Sequence, residues 1–241
     1  MIKIPLSIGS QLEIHTIKKV SLKGGTLIDG LYFMNSIAND LVSVMDSPSF
    51  PPIAMVYDGI ANFPARIYAN EDLKVAFLIS ELNLDQSFYY FVSITILRWA
   101  KENGCELVIS PGTVLEDNST GSQKEHAADS LYGVASTKRA RDRIRNTEII
   151  RDLPTGSVSG IPALMLNEGM IRNFDVIVLL GKTIQDTSEY GSAASVSEAN
   201  MKLVPGLSCD TRSLLTKAKT YEQDLRRVRS ERKDSAINLY R

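Results

Sequence analysis

Short apolar runs alternate with helical stripes along this chain. Residues 53–57, 75–79, 107–110 and 176–180 are apolar and rich in β-branched side chains. They are too short for helices and lack the polar alternation of a half-exposed strand, so they predict strands buried on both faces. Arg66 to Tyr68, the turn residues Asn70-Glu71-Asp72 and the run from Leu73 to Ile79 predict an antiparallel hairpin. Residues 88–102 place Phe91, Ile94, Thr95, Arg98 and Trp99 at near-helical spacing, with Asn103-Gly104 as the stop. A charged helix is expected over 138–147 after a short strand at 133–135, with Ser136 or Thr137 able to cap its free amides. Pro162 suits the first turn of a helix at 161–170, which feeds the strand starting at Asp175. This alternation predicts an α/β fold with a mostly parallel sheet in three layers, to which the hairpin is added.

Two further segments differ in character. Residues 116–130 are almost wholly polar and read as a surface loop. From Asp210 or Thr211, either one a suitable N-cap, Leu214, Ala218, Tyr221, Leu225 and Val228 fall at steps of 4, 3, 4 and 3 and form one narrow stripe of a long terminal helix. A polar run at 230–235 then separates that helix from Ile237-Asn238-Leu239-Tyr240-Arg241, so the reading ends on a projecting tail. No repeat or domain boundary is visible, and residues 1–241 read as one domain with its helix and tail at about 211–241.

Composition narrows the class. A length of 241 residues, 44% hydrophobic and 23% charged, supports a globular core without staples and excludes collagen-like or disordered chains. The net charge of −1 hides an asymmetry: residues 212–241 carry nine Lys/Arg against four Asp/Glu, hence +5, and the body is −6. Without interleaved aromatics, that basic segment is read as a solvated or protein-facing surface rather than a nucleic-acid site. Cys105 and Cys209 form no C-x-x-C pair, which suits a reducing compartment. No run is long enough for a membrane span or signal peptide, and a cytoplasmic location is expected.

A search for catalytic patterns finds little. Gly156-Ser157-Val158-Ser159-Gly160 has the spacing of a hydrolase elbow, but Val158 holds the nucleophile position, so the segment reads as a turn and cap before the Pro162 helix. His15 and His126 lie far apart, without metal-ligand spacing. No phosphate-cradling glycine motif occurs, and no cofactor is expected. Asp58, Asp85 and Glu116 follow strands, where open α/β sheets bind ligands, but such carboxylates are usually solvated.

Several motifs together resemble a known family. Tyr132-Gly133-Val134-Ala135-Ser136-Thr137 with its basic helix, then Thr155-Gly156, Gly160-Ile161-Pro162-Ala163-Leu164-Met165-Leu166 and Asp175-Val176-Ile177-Val178-Leu179-Leu180, are similar in order and spacing to the archaeal proteasome assembly chaperone family. Asp29-Gly30-Leu31 and Ile37-Ala38-Asn39-Asp40-Leu41 resemble that family's first loop and helix. The resemblance spans roughly residues 22–228. It implies a phosphorylase- or Rossmann-like three-layer fold and self-association into a homo-oligomer. Leu239-Tyr240-Arg241 also resembles the hydrophobic-tyrosine-any residue ending with which proteasome activators and assembly factors dock between α-subunits of the core particle.

Two functions follow as expectations. The first is a non-enzymatic, oligomeric proteasome-binding protein, an assembly chaperone or an activator, docking on the α-ring through Leu239, Tyr240 and Arg241. The alternative is an enzyme or ligand-binding protein with a pocket at the strand carboxyl ends for a nucleoside, nucleotide or carboxylate.

Overall fold

Strands that must lie between two layers of helices need apolar side chains on both faces, and the centre of this molecule follows that demand. The computed structural model describes residues 12–29, 39–113, 131–181, 189–208 and 216. Among them, nine strands form one sheet: β1 (Glu13–Thr16), β2 (Gly25–Asp29), β3 (Asp40–Asp46), β6 (Ala65–Asn70), β7 (Val75–Ser80), β8 (Cys105–Thr113), β9 (Leu131–Ala135), β10 (Ile150–Asp152) and β11 (Asp175–Gly181). Their order is β1-β3-β6-β7-β2-β8-β11-β9-β10. The central strands β7, β2, β8 and β11 run parallel, as do β9 and β10. β1, β3 and β6 extend one flank antiparallel, and β9 pairs antiparallel with β11.

Helices cover both faces. α1 (Tyr89–Glu102) and α3 (Gly160–Arg172) lie on one, α2 (Lys138–Arg145) and α4 (Glu189–Leu203) on the other. β11 shows the consequence residue by residue: Val176, Val178 and Leu180 join the cluster under α1 and α3, while Ile177 and Leu179 join the one under α2 and α4. Every residue of β11 is buried, which is why residues 176–180 are an unbroken apolar run. Gly169 lets α3 approach this strand, since a Cβ there would stand 2.7 Å from Val176 Cγ2 and 2.9 Å from the Phe174 carbonyl oxygen.

Local chemistry fixes the helix ends. Thr137 caps α2 by accepting from Ala140 N at 3.1 Å, and its hydroxyl donates to the fully buried Asp175 at the start of β11. Arg139 Nε donates to the other oxygen of Asp175 at 2.6 Å, so one carboxylate ties α2 to the sheet. In α1 the buried face is Val92, Ser93, Ile96, Leu97, Trp99 and Ala100, offset from the expected Phe91-Ile94-Thr95-Arg98 stripe; only Trp99 is shared. Its indole Nε1 donates to Ser43 Oγ at 3.0 Å, which satisfies the ring's polar edge inside the core.

Two strand-and-helix expectations are corrected. Residues 53–57 do not form a buried strand; only β4 (Met55–Tyr57) is extended, and it pairs with β5 (Ile60–Asn62) in a separate, exposed two-stranded sheet. Pro51 and Pro52 precede it without N–H donors, and Asp58 and Gly59, at φ 50° and 78°, make the tight turn that folds β4 onto β5. Asp40 and Leu41, expected in a first helix, open β3 instead. The terminal helix, the 116–130 loop and the 239–241 tail lie outside the described residues.

A buried ion pair clamps the small hairpin to the sheet. Arg66, 3% exposed, donates through Nη2 to both oxygens of Glu81 at 2.9 and 3.0 Å. The Tyr57 hydroxyl also donates to Glu81, and the Tyr57 ring sits 5.2 Å from the guanidinium carbon. Truncating one partner of such a pair strands a buried charge, whereas replacing both with apolar groups does not. Urea unfolding of Glu81→Ala is therefore expected to show a loss of about 3–5 kcal/mol, most of it recovered in the Arg66→Met/Glu81→Leu double variant.

Candidate functional site

Parallel strands that end on the same side of a sheet leave a crevice beyond their carboxyl ends. Here β2 ends at Asp29, β7 at Ser80 and β8 passes through Pro111, and together they border a cavity of about 350 Å³. The first turn of α3, Gly160-Ile161-Pro162, forms a second wall, and Tyr89, Val92 and Ile96 of α1 form a third. Gly160 can make this corner because its φ of +76° is open to glycine at little cost. Ser159 stands at the N-cap position in extended conformation but makes no side-chain cap bond.

One carboxylate dominates the cavity. Asp29 accepts from the buried Ser110 Oγ at 3.1 Å, and no cation pairs with it among the described residues. Removal from water pushes its carboxyl up to about 6, with the Ser110 hydroxyl pulling weakly the other way. The remaining lining is mostly apolar, with Phe50, Leu78, Val92 and Ile96 prominent, and its described residues include no Lys, Arg or His. A nucleotide or carboxylate ligand would thus meet a like charge with no basic side chain to offset it.

The residues singled out in the sequence fall elsewhere. Asp58 is exposed in the β4–β5 turn, and Asp85 is exposed and accepts from Ser87 N at 2.9 Å, a bond that lowers its pKa. His15 lies exposed on β1. Val158 packs against the core and the 156–160 segment leads into α3, as the turn reading requires. Cys105 is buried, and burial pushes its thiol up to about 12, far from a reactive thiolate. Glu116, His126, Cys209, Leu239, Tyr240 and Arg241 lie outside the described residues. Among the described residues no three His, Cys, Asp or Glu side chains gather as metal ligands, and no helix is long and apolar enough to cross a membrane.

Asp29 and Ser110 escaped the sequence reading as a pair. Asp29 was legible only as part of the Asp29-Gly30-Leu31 loop, and the signal that could have found it is a carboxylate closing the run Leu27-Ile28. The raised value makes a stability prediction with a definite sign. The fold favours the neutral acid, so the contribution of Asp29 is intact below the unfolded value of 3.8 and is lost as pH rises through about 6. Asp29→Asn should therefore be more stable than the native chain by about 2–3 kcal/mol above neutral pH, with the gap closing near pH 4, in chemical unfolding run at both pH values.

The fold has known counterparts. At 19% identity, PbaA of Pyrococcus furiosus, an archaeal homolog of proteasome-assembly chaperone, superposes with a TM-score of 0.74 over 94% of this chain and 95% of its own. PbaB of the same organism, an archaeal proteasome activator, gives 0.68 at 15% identity over 91% and 99%. A Thermoplasma acidophilum protein of unknown function gives 0.65 at 19% identity over 88% and 91%. At these identities the likeness establishes the fold alone. No curated protein matches the sequence. Residues 31–229 match the PAC2 family, which is most of the chain, and the protein belongs to that family.

Proposed function

We propose that this chain is a non-enzymatic proteasome-binding protein, an assembly chaperone or activator, that acts in the cytoplasm as a homo-oligomer and docks on core-particle α-subunits through Leu239, Tyr240 and Arg241. The observation that carries the reading is PAC2 membership over residues 31–229, since the similar PbaA and PbaB folds belong to a proteasome-assembly chaperone homolog and a proteasome activator. The tripeptide supplies a contact of matching chemistry. Leu239 offers apolar surface, Tyr240 a ring and a hydroxyl, and the α-carboxylate of Arg241 a charge for a lysine in the receiving pocket.

Magnitudes explain why the reading includes self-association. Burying Leu239 and Tyr240 gains about 5–7 kcal/mol at ~25 cal/mol/Å², while ordering four or five tail residues costs about 1–2 kcal/mol each. One tail is then a weak ligand, and several on one oligomer raise the apparent affinity by about 10²–10⁴. The β4–β5 hairpin supports this reading by leaving Val56 and Ile60 at 64% and 68% exposure, apolar surface that a second copy could cover.

Pull-down with α-subunits from the same organism, paired with light scattering, tests both parts. The native chain is expected to scatter as a species larger than one chain and to retain α-subunits. Deleting residues 239–241, substituting Tyr240→Ala or adding one residue after Arg241 should each abolish or strongly weaken retention while leaving the oligomer intact, since the added residue displaces the carboxylate by about 3.5 Å. Undiminished binding by the deletion variant would remove the tail from the proposal, and absence of α-subunit binding by the native chain would remove the proposal itself.

A further inference from the structure

The proposed tail docking makes no use of the cavity at the carboxyl ends of β2, β7 and β8, where Asp29 has Ser110 as its hydrogen-bond donor and no counter-charge among the described residues. An aspartate with a hydroxyl as its partner and no cation nearby costs stability, and such costs persist mainly where a site uses them. The size, about 350 Å³, falls within the roughly 300–1,000 Å³ of small-molecule cavities. Its composition also fits: an apolar body of lining side chains with few polar groups, of which Ser80 and Asn83 are exposed at the mouth.

We propose that this cavity binds a small organic ammonium ion, its charge on the Asp29 carboxylate and its apolar body against Phe50, Val92 and Ile96. The charge balance of the described lining points this way: Met45 of β3, Ala65 of β6 and Leu82, Asn83 and Leu84 of the segment after β7 carry no charge. β7 presents Leu78 and Ser80, β8 presents Pro111, and α3 presents Gly160, Ile161 and Pro162, none of them ionisable. Among the described lining residues α1 adds Tyr89 as the one other titratable group, and Glu81 of the segment after β7 is held by Arg66. The α3 N-terminus contributes a partial positive charge of about one half at most, less than the full negative charge of Asp29. An anion gains little here, and a neutral ligand leaves the carboxylate unpaired. An ammonium ion fills the apolar space and supplies the missing counter-charge.

Linkage sets the size of the effect. If a bound ammonium returns Asp29 from about 6 to the ordinary carboxylate range, it binds the ionised protein about a hundredfold more tightly than the protonated one. Ammonium affinity then falls as pH drops through about 6, and the affinity of an uncharged isostere does not.

Calorimetric titration of the full chain with 2-phenylethylammonium, 2-phenylethanol and 3-phenylpropanoate tests this. At about pH 7.5 the ammonium ion is expected to bind saturably and about tenfold or more tighter than the alcohol, with the carboxylate weakest. Asp29→Asn should erase the difference between ammonium and alcohol. Leu82→Trp, at a partly buried position on the lining away from the carboxylate, should weaken both. The pH profile of the native chain and Leu82→Trp test the same assignment without altering Asp29. Absence of saturable ammonium binding, equal or tighter binding of the alcohol or the carboxylate, or ammonium affinity unchanged by Leu82→Trp would each overturn the proposal. The tail plays no part in these measurements, so their failure leaves proteasome docking untouched.

Discussion

The burial of β2, β8 and β11 on both faces is the constraint from which the rest of the molecule follows. A parallel strand between two helical layers has no solvated side, so Leu27, Ile28, Val108, Ile109, Val176, Ile177, Val178 and Leu179 are all almost fully excluded from water. Polar groups in such a sheet are tolerated where a partner is at hand, as with Thr137 and Arg139 around Asp175 or Glu81 around Arg66. Asp29 breaks that pattern. It inherits the low-polarity surroundings of the strand it ends, with Ser110 as its hydrogen-bond donor and no counter-charge among the described residues.

The architecture separates two kinds of surface. The sheet centre and its helices hold a preformed cavity, positioned by elements that pack on both faces. The β4–β5 hairpin stands outside that core, clamped by Tyr57, Arg66 and Glu81, and carries its apolar residues toward solvent.

Much of the fold was legible because burial on two faces writes itself as unbroken apolar runs, as in 75–79, 107–110 and 176–180, and because the 66–79 hairpin carries a turn that Asn70 stabilises by accepting from Leu73 N. The run at 53–57 misled for the same reason: apolar content does not reveal which side of the molecule a strand will occupy. α4 was not read from the sequence: its buried residues Ala194, Ser197, Ala199, Asn200 and Leu203 are mostly small or polar, so the apolar stripe they make with Val196 is weak. β10, three residues long, is too short for periodicity to register. The candidate site was legible only in outline. Strand-end carboxylates were the right class to inspect, but Asp58 and Asp85 stayed in solvent, and the environment of Asp29 is made by Ser110 and α3, distant in sequence.

That this fold raises the pKa of a carboxylate lacking a counter-charge among the described residues can be measured at the atom concerned. A carbon-13 NMR titration of the Asp29 side-chain carboxyl in the native chain, assigned by comparison with Asp29→Asn, is predicted to give a midpoint of about 6. A midpoint near the ordinary aspartate value of about 3.9 would show that water or an unrecognised cation reaches the group, and would contradict the account.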